Sequence, residues 1–249
     1  MLNYACYQDA RFIVVATPSG LTLAPEGGAH QSVFTPLIGI GQPSLTAFEP
    51  TYIDELCEIL RWSFEHLQAD DGGSVYLRLS TRPLEQPGRV MTPELSRQIV
   101  EGAYWLVEHA QGAELSIVAC GPVVEEALKA HEQVVEDIPG AGLLVVTSAD
   151  RLQSGWVHAQ RAGAFGERSY IEQLLLPLAA TAGLVTVLDG HPATLAWLGA
   201  VGCHRIVPLG VEKFGQSGSL PELYRAYGLD VDAIVGAVAR LCGGPVRFE

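Results

Sequence analysis

Apolar positions along the chain alternate between short unbroken runs and longer stretches of helical period. Residues 12–16 (FIVVA), 143–147 (LLVVT) and 184–188 (LVTVL) are runs of strand length without charge. Runs of this kind suit strands covered on both faces, as in parallel sheets. Residues 44–48, 74–80 (SVYLRLS), 114–120 and 203–209 complete the set of predicted strands. Between them the period lengthens. Ile53, Leu56, Cys57, Leu60, Phe64 and Leu67 fall on one helical face, opened by a capping-box-like Thr51 and Asp54. Further helices are predicted over 123–135, 156–162, 170–178, 194–201, 220–227 and 232–241. Ser219 with Glu222 caps the start of 220–227, and Gly228 ends it. Strands alternating with helices imply βαβ units and an α/β fold with a mostly parallel sheet.

Two units are expected. Residues 83–93 (PLEQPGRVMTP) hold three prolines and a glycine with no apolar period, which reads as a linker. The boundary divides the chain into 1–84 and 85–249. The first strand arrives so early that the chain is expected to start inside a sheet, with a companion segment supplying the missing neighbours.

Composition narrows the functional classes. The 249 residues are 48% hydrophobic and 17% charged, far from a disordered composition. Fifteen Lys and Arg against 28 Asp and Glu give a formal net charge of −13, which disfavours nucleic acid and anionic membranes as partners. No apolar run is long enough to span a bilayer, and the N-terminus lacks the pattern of a signal peptide. Cys6, Cys57, Cys120, Cys203 and Cys242 are scattered, without metal-ligand spacing. They are expected to be reduced, mostly buried thiols of a cytoplasmic protein.

The loop 24–32 (APEGGAHQS) is the chemically richest segment. It follows a predicted strand, and ligands of open α/β sheets sit beyond the carboxyl ends of strands. Gly27 and Gly28 permit close backbone approach. Glu26 and His30 can exchange a proton near neutral pH. On residue types alone this is either a ligand-facing loop or a solvated surface turn. Asp189-Gly190-His191-Pro192 follows another predicted strand; a capping Asp189 and a surface or interface His191 are expected there. His66, His109, His131 and His158 are expected to be solvated, and the four tryptophans to anchor cores or interfaces.

Four segments in chain order sharpen the picture: 20–32 (GLTLAPEGGAHQS), 73–84 (GSVYLRLSTRPL), 146–152 (VTSADRL) and 210–218 (GVEKFGQSG). Together they resemble the C-terminal part of the transketolase family of thiamine-diphosphate enzymes, most nearly its homodimeric pyruvate dehydrogenase E1 branch. The resemblance covers essentially the whole chain. It implies a partial pyrimidine-binding domain over 1–84 and a transketolase C-terminal domain over 85–249. His30 matches the histidine that faces the substrate, binds its oxygen and moves a proton. Arg82 matches an arginine that meets the substrate phosphate in transketolase; a salt bridge or carbonyl contact at the linker is the alternative. Transketolases carry Glu-Asp-Gly where this chain has Glu26-Gly27-Gly28, which favours the dehydrogenase branch.

The family's activating glutamate and its Gly-Asp-Gly and Asn ligands for Mg²⁺ have no counterpart in the chain, and Glu26 does not take the activating role. The resemblance therefore implies thiamine diphosphate with Mg²⁺ in the complete enzyme, and neither cofactor nor metal on this chain alone. The implied activity is decarboxylation of a 2-oxoacid and acyl transfer to lipoamide. The implied partners are an N-terminal E1 portion or second subunit, an E2 lipoamide acyltransferase and a second copy in a homo-oligomer. A catalytically silent assembly module and a sugar-transferring transketolase are the other readings.

Overall fold

Three strands near the N-terminus form a parallel sheet, and five later strands form a second. The computed structural model describes residues 1–163 and 166–243. The first sheet contains β1 (Ile13–Ala16), β2 (Leu45–Phe48) and β3 (Ser74–Arg78) in the order β1-β3-β2. β3 is central and buried at all five positions. Side chains alternate across it. Tyr76 joins Val14, Leu45 and Ile38 under α1 (Leu2–Tyr7) and α2 (Pro36–Gly41). Val75 and Leu77 join Phe48 and Ile59 under α3 (Ile53–His66).

Two local expectations change here. The apolar run of β1 is not covered on both faces: β1 lies at the sheet edge and Val15 is 49% exposed. α3 is capped by Glu55 instead of the Thr51 and Asp54 pair. The Glu55 carboxylate accepts the N–H groups of Thr51 and Tyr52 at 2.6 and 3.2 Å. Asp54 is drawn off to Arg89, at 2.7 and 2.9 Å.

The second sheet follows α4 (Pro93–Glu101) and has the order β4-β6-β5-β7-β8. β4 (Ala103–Val107) is antiparallel to β6 (Gly142–Val146). β6, β5 (Leu115–Cys120), β7 (Gly183–Leu188) and β8 (Arg205–Leu209) are parallel. α5 (Val124–Asp137) and α10 (Val231–Cys242) cover the face bearing Ile117, Leu143 and Val185. α6 (Ala149–Ala162), α7 (Tyr170–Leu175) and α8 (Ala193–Ala196) cover the face bearing Val118, Leu144 and Leu184. α9 (Leu220–Tyr227) starts on Ser219 and Glu222 and stops at left-handed Gly228, as predicted.

α4 and β4 escape the sequence reading because no turn cluster separates them. Gly102 alone, at φ +119°, turns the chain, and a side chain there would meet the Ser148 carbonyl at 2.8 Å. Residues 83–92 of the proline-rich stretch form neither helix nor strand, Pro93 opens α4, and the stretch is pinned. Arg89 bonds Asp54 and stacks on Tyr104, 4.8 Å from its ring centroid. One continuous core runs from Phe48, Ile59 and Leu77 to Tyr104 and Ile117, so the two sheets share their interior. Among the described residues no helix is long and apolar enough to cross a membrane.

Burial corrects two further expectations. Cys57, Cys203 and Cys242 are exposed, and only Cys6 and Cys120 are buried. His131 is not solvated; it is buried and shares a hydrogen bond with the Ala141 carbonyl at 2.8 Å. His66 stacks on Trp62 and accepts the Gly73 N–H at 3.0 Å, so its charged form is disfavoured by partial burial and by Arg151.

Candidate functional site

The loop between β1 and α2 is closed on itself and then clamped. Gly20 donates its N–H to the Ser32 hydroxyl at 3.0 Å, and Ser32 returns its own N–H to the Gly20 carbonyl at 3.2 Å. Two short turns, Ala24–Glu26 and Gly28–His30, lie within this closure. The segment 215–218 packs against them. Gln31 Nε2 donates to the Gln216 carbonyl at 3.2 Å, and the Gly218 N–H reaches the Ala24 carbonyl at 3.4 Å. Gly27, at φ +82°, is required: a Cβ there would sit 2.5 Å from the Ser217 hydroxyl. Two motifs at opposite ends of the chain thus form one surface. Glu26 and His30 are both exposed on it, and no hydrogen bond among the described residues fixes the His30 imidazole.

Beneath the loop lies a buried ionic cluster at the carboxyl ends of β2, β3 and β7. Arg78 is 1% exposed and pairs with Glu49, which follows β2. Its other donors reach the Thr35 hydroxyl at 3.0 Å, the Ser32 carbonyl at 3.0 Å and the Asp189 carbonyl at 2.6 Å. The Asp189 carboxylate accepts the Leu21 N–H at 2.8 Å and the Tyr224 hydroxyl at 3.1 Å. Asp189 is therefore not a helix cap. Burial pushes its carboxyl up to about 6, against the pull of Arg78. Burial likewise raises Glu49, and Arg78 opposes it. His191 takes the capping role instead, its Nδ1 accepting the Ala193 N–H at 3.2 Å.

Arg82 belongs to a different cluster. It donates to Glu126 at 2.7 Å through each terminal nitrogen, to Glu125 at 2.8 Å and to the Pro122 carbonyl at 3.1 Å. Its guanidinium also lies 5.3 Å from the Tyr224 ring centroid. These partners come from the turn 121–123 before α5, from the start of α5 and from α9.

Sequence reasoning found the exposed loop and missed its support. The available signals were an arginine inside an otherwise apolar strand and a glutamate between Phe48 and Pro50. A charge in such a place is buried only when paired. The exposed loop itself does not fit a complete site for thiamine diphosphate and Mg²⁺. Mg²⁺ takes clustered oxygen ligands, while Glu26 is the sole carboxylate in the loop. Among the described residues no group of three or more His, Cys, Asp or Glu side chains could hold a metal ion.

The comparisons with known proteins agree with this layout. Residues 102–230 match the family model for the transketolase-like C-terminal domain. The pyruvate dehydrogenase E1 component of Mycolicibacterium smegmatis is 25% identical over 94% of this chain and 26% of its own length. Transketolase 1 of Escherichia coli is 24% identical over 96% of this chain and 33% of its own length. A solved split-gene transketolase, an inactive beta4 tetramer, shares the fold with a TM-score of 0.67 at 20% identity, covering 96% of this chain and 69% of that one. The chain spans about a quarter to a third of the length of these two curated relatives. The mostly parallel α/β sheets, the two converging motifs and the match over more than half of the sequence make this chain a member of the transketolase-like C-terminal domain family.

Proposed function

We propose that this chain is the C-terminal portion of a thiamine-diphosphate-dependent 2-oxoacid dehydrogenase E1, with pyruvate as the expected substrate, completed by another polypeptide. In this reading residues 1–84 are a partial pyrimidine-binding domain and residues 85–249 the C-terminal domain. The cofactor, held with Mg²⁺ by the completing chain, supplies the carbanion chemistry. His30 binds the substrate oxygen and moves a proton as the 2-oxoacid adds and decarboxylates. The clamp of 215–218 and the ionic cluster under the loop hold the backbone of the loop that bears His30. The acyl product passes to lipoamide on an E2 acyltransferase, and the assembled enzyme is homo-oligomeric.

The commitment of Arg82 carries the choice of branch. A transketolase arginine at this position would have to be free for a sugar phosphate. Here the Glu125 and Glu126 carboxylates and the Pro122 carbonyl occupy it. A 2-oxoacid has no phosphate to bind, so the loss of that contact costs nothing.

The test reconstitutes this chain with the part of the Mycolicibacterium smegmatis E1 component that precedes the matched stretch, adding thiamine diphosphate and Mg²⁺. Turnover of pyruvate and none of fructose 6-phosphate is expected. Turnover of the sugar phosphate alone would overturn the reading in favour of transketolase chemistry.

A further inference from the structure

A cleft of about 1020 Å³ opens between the two sheets. Small-molecule sites span roughly 300–1,000 Å³, so it is large enough for a ligand. Ser44, Leu45 and Gly73 place it at the amino ends of β2 and β3, whereas the His30 loop follows the carboxyl end of β1. On its other wall Asp150 and Arg151 open α6 just beyond the carboxyl end of β6. That is the end of a strand at which α/β sheets take ligands.

Arg151 is the unusual residue of the cleft. It is half-buried, and its guanidinium lies 4.8 Å over the Trp62 ring. Its Nε is shielded from solvent and has no hydrogen-bond partner. The charges that act on it are those of Glu101 and Asp150. Asp150 is engaged, accepting the Ala47 N–H at 3.0 Å. Glu101 ends α4 and lines the same cleft, and among the described residues no ion pair joins it to Arg151. A desolvated guanidinium without an acceptor is costly, and a carboxylate across open space does not relieve it. Arg161, exposed in the last turn of α6, also lines the cleft and has no ion pair among the described residues. Between the two arginines α6 presents Ser154 and Gly155, and a Cβ on Gly155 would meet nothing within 4 Å.

We propose that this cleft binds an acidic α-amino acid. The terminal nitrogens of Arg151 take the α-carboxylate, Glu101 takes the α-ammonium group, and Arg161 takes the side-chain carboxylate. The charge pattern selects this class. A simple anion would meet Glu101, Asp150 and Asp71 on the same walls, and a simple cation would meet both arginines. A molecule carrying both signs satisfies the separated Arg151 and Glu101 together. A guanidinium fork also matches a carboxylate through two parallel hydrogen bonds. Ser154 and Gly155 leave the path from Arg151 to Arg161 clear for the ligand's side chain. The site lies apart from His30, and the inference does not depend on the functional reading above.

Calorimetric titration of the full chain with L-glutamate tests this. Binding is expected, with glutarate, which lacks the ammonium group, at least about tenfold weaker, as for loss of a charged hydrogen bond. Arg151→Met and Glu101→Gln should each weaken L-glutamate by at least about the same factor. Gly155→Leu should block the cleft and abolish binding. Leucine is a better helix former than glycine and enters open space, so the urea midpoint of that variant should equal or exceed the parent's. L-glutamine should bind several-fold more weakly than L-glutamate, and Arg161→Gln should erase that difference. Circular dichroism of every variant should match the parent. No binding of L-glutamate at millimolar concentration would overturn the proposal. So would glutarate, inorganic phosphate or L-glutamine binding as tightly as L-glutamate. Binding unchanged in Arg151→Met and Glu101→Gln, or in folded Gly155→Leu, would place the ligand elsewhere and overturn it too.

Discussion

The Asp189 carboxylate accepts the backbone N–H of Leu21 at 2.8 Å, and this bond fastens the loop bearing His30 to the carboxyl end of β7. The two residues are 168 positions apart. The other oxygen of the same carboxylate holds the Tyr224 hydroxyl on α9. Three segments of the chain therefore depend on one buried side chain.

Asp189→Ala should destabilise the protein by about 2–4 kcal/mol, because it leaves two buried donors without an acceptor. Asp189→Asn keeps an oxygen for Leu21 and should cost less than half as much. Urea denaturation of both variants checks the order. Equal losses would mean that the negative charge matters more than the hydrogen bonds.

Stability should respond to pH through Asp150 as well. Burial pushes its carboxyl from 3.8 up to about 6, partly offset by the bond from the Ala47 N–H. Between those values the folded chain holds a proton that the unfolded chain has released. Stability from this group is complete below about 3.8 and falls as pH rises through about 6. Asp189 is shifted in the same direction and adds to the trend. Exposed Glu94 and Glu222 are held low by their hydrogen-bond partners and act oppositely, only at more acidic pH. Asp150→Asn retains an acceptor for Ala47 and removes the titration. The variant should be more stable than the parent at pH 7, on the order of 1–3 kcal/mol, with the gap closing towards pH 4. Urea midpoints at pH 7, 6, 5 and 4 measure this. A constant gap would show that Asp150 does not titrate in this range.

Arg82→Met should cost about 2–3 kcal/mol, since it strands the mostly buried Glu126 and leaves Glu125 only its pairing with Lys129. Arg82→Lys should recover little of this, because an ammonium cannot fork between two carboxylates. Thermal melts at low and moderate salt distinguish the variants. Full rescue by lysine would mean that simple charge pairing suffices.

His30→Ala should leave stability within about 0.5 kcal/mol, as expected for an exposed side chain on a turn. In the reconstituted enzyme it should lower kcat by about 10²–10⁴-fold. Exposed His158 on α6 is the control, and His158→Ala should leave kcat within about threefold. An unchanged kcat in His30→Ala would remove the histidine from the proposed site.

The legibility of the fold follows from what each signal depends on. α9 was fixed by local chemistry: Ser219, Glu222 and Gly228 act within one turn of the helix, so their spacing alone sets both ends. The strands 143–147 and 184–188 were equally plain, because a central parallel strand is apolar at nearly every position. β1 has the same composition, yet its edge position comes from its having one strand neighbour among the described residues, which its own residues do not record. β4 stayed hidden because Gly102 turns the chain without a cluster of turn residues. The exposed loop with His30 was visible as a motif. Its support was not, since Asp189 looks the same in sequence whether it caps a helix or is buried against Leu21 and Tyr224. Arg82 likewise presents one guanidinium to the sequence reader, and only the arrival of α5 decides that Glu125 and Glu126 hold it. Helix ends and buried strands are set by neighbours in the chain, whereas burial and ion pairing are set by segments that meet only once the two sheets have packed into one core.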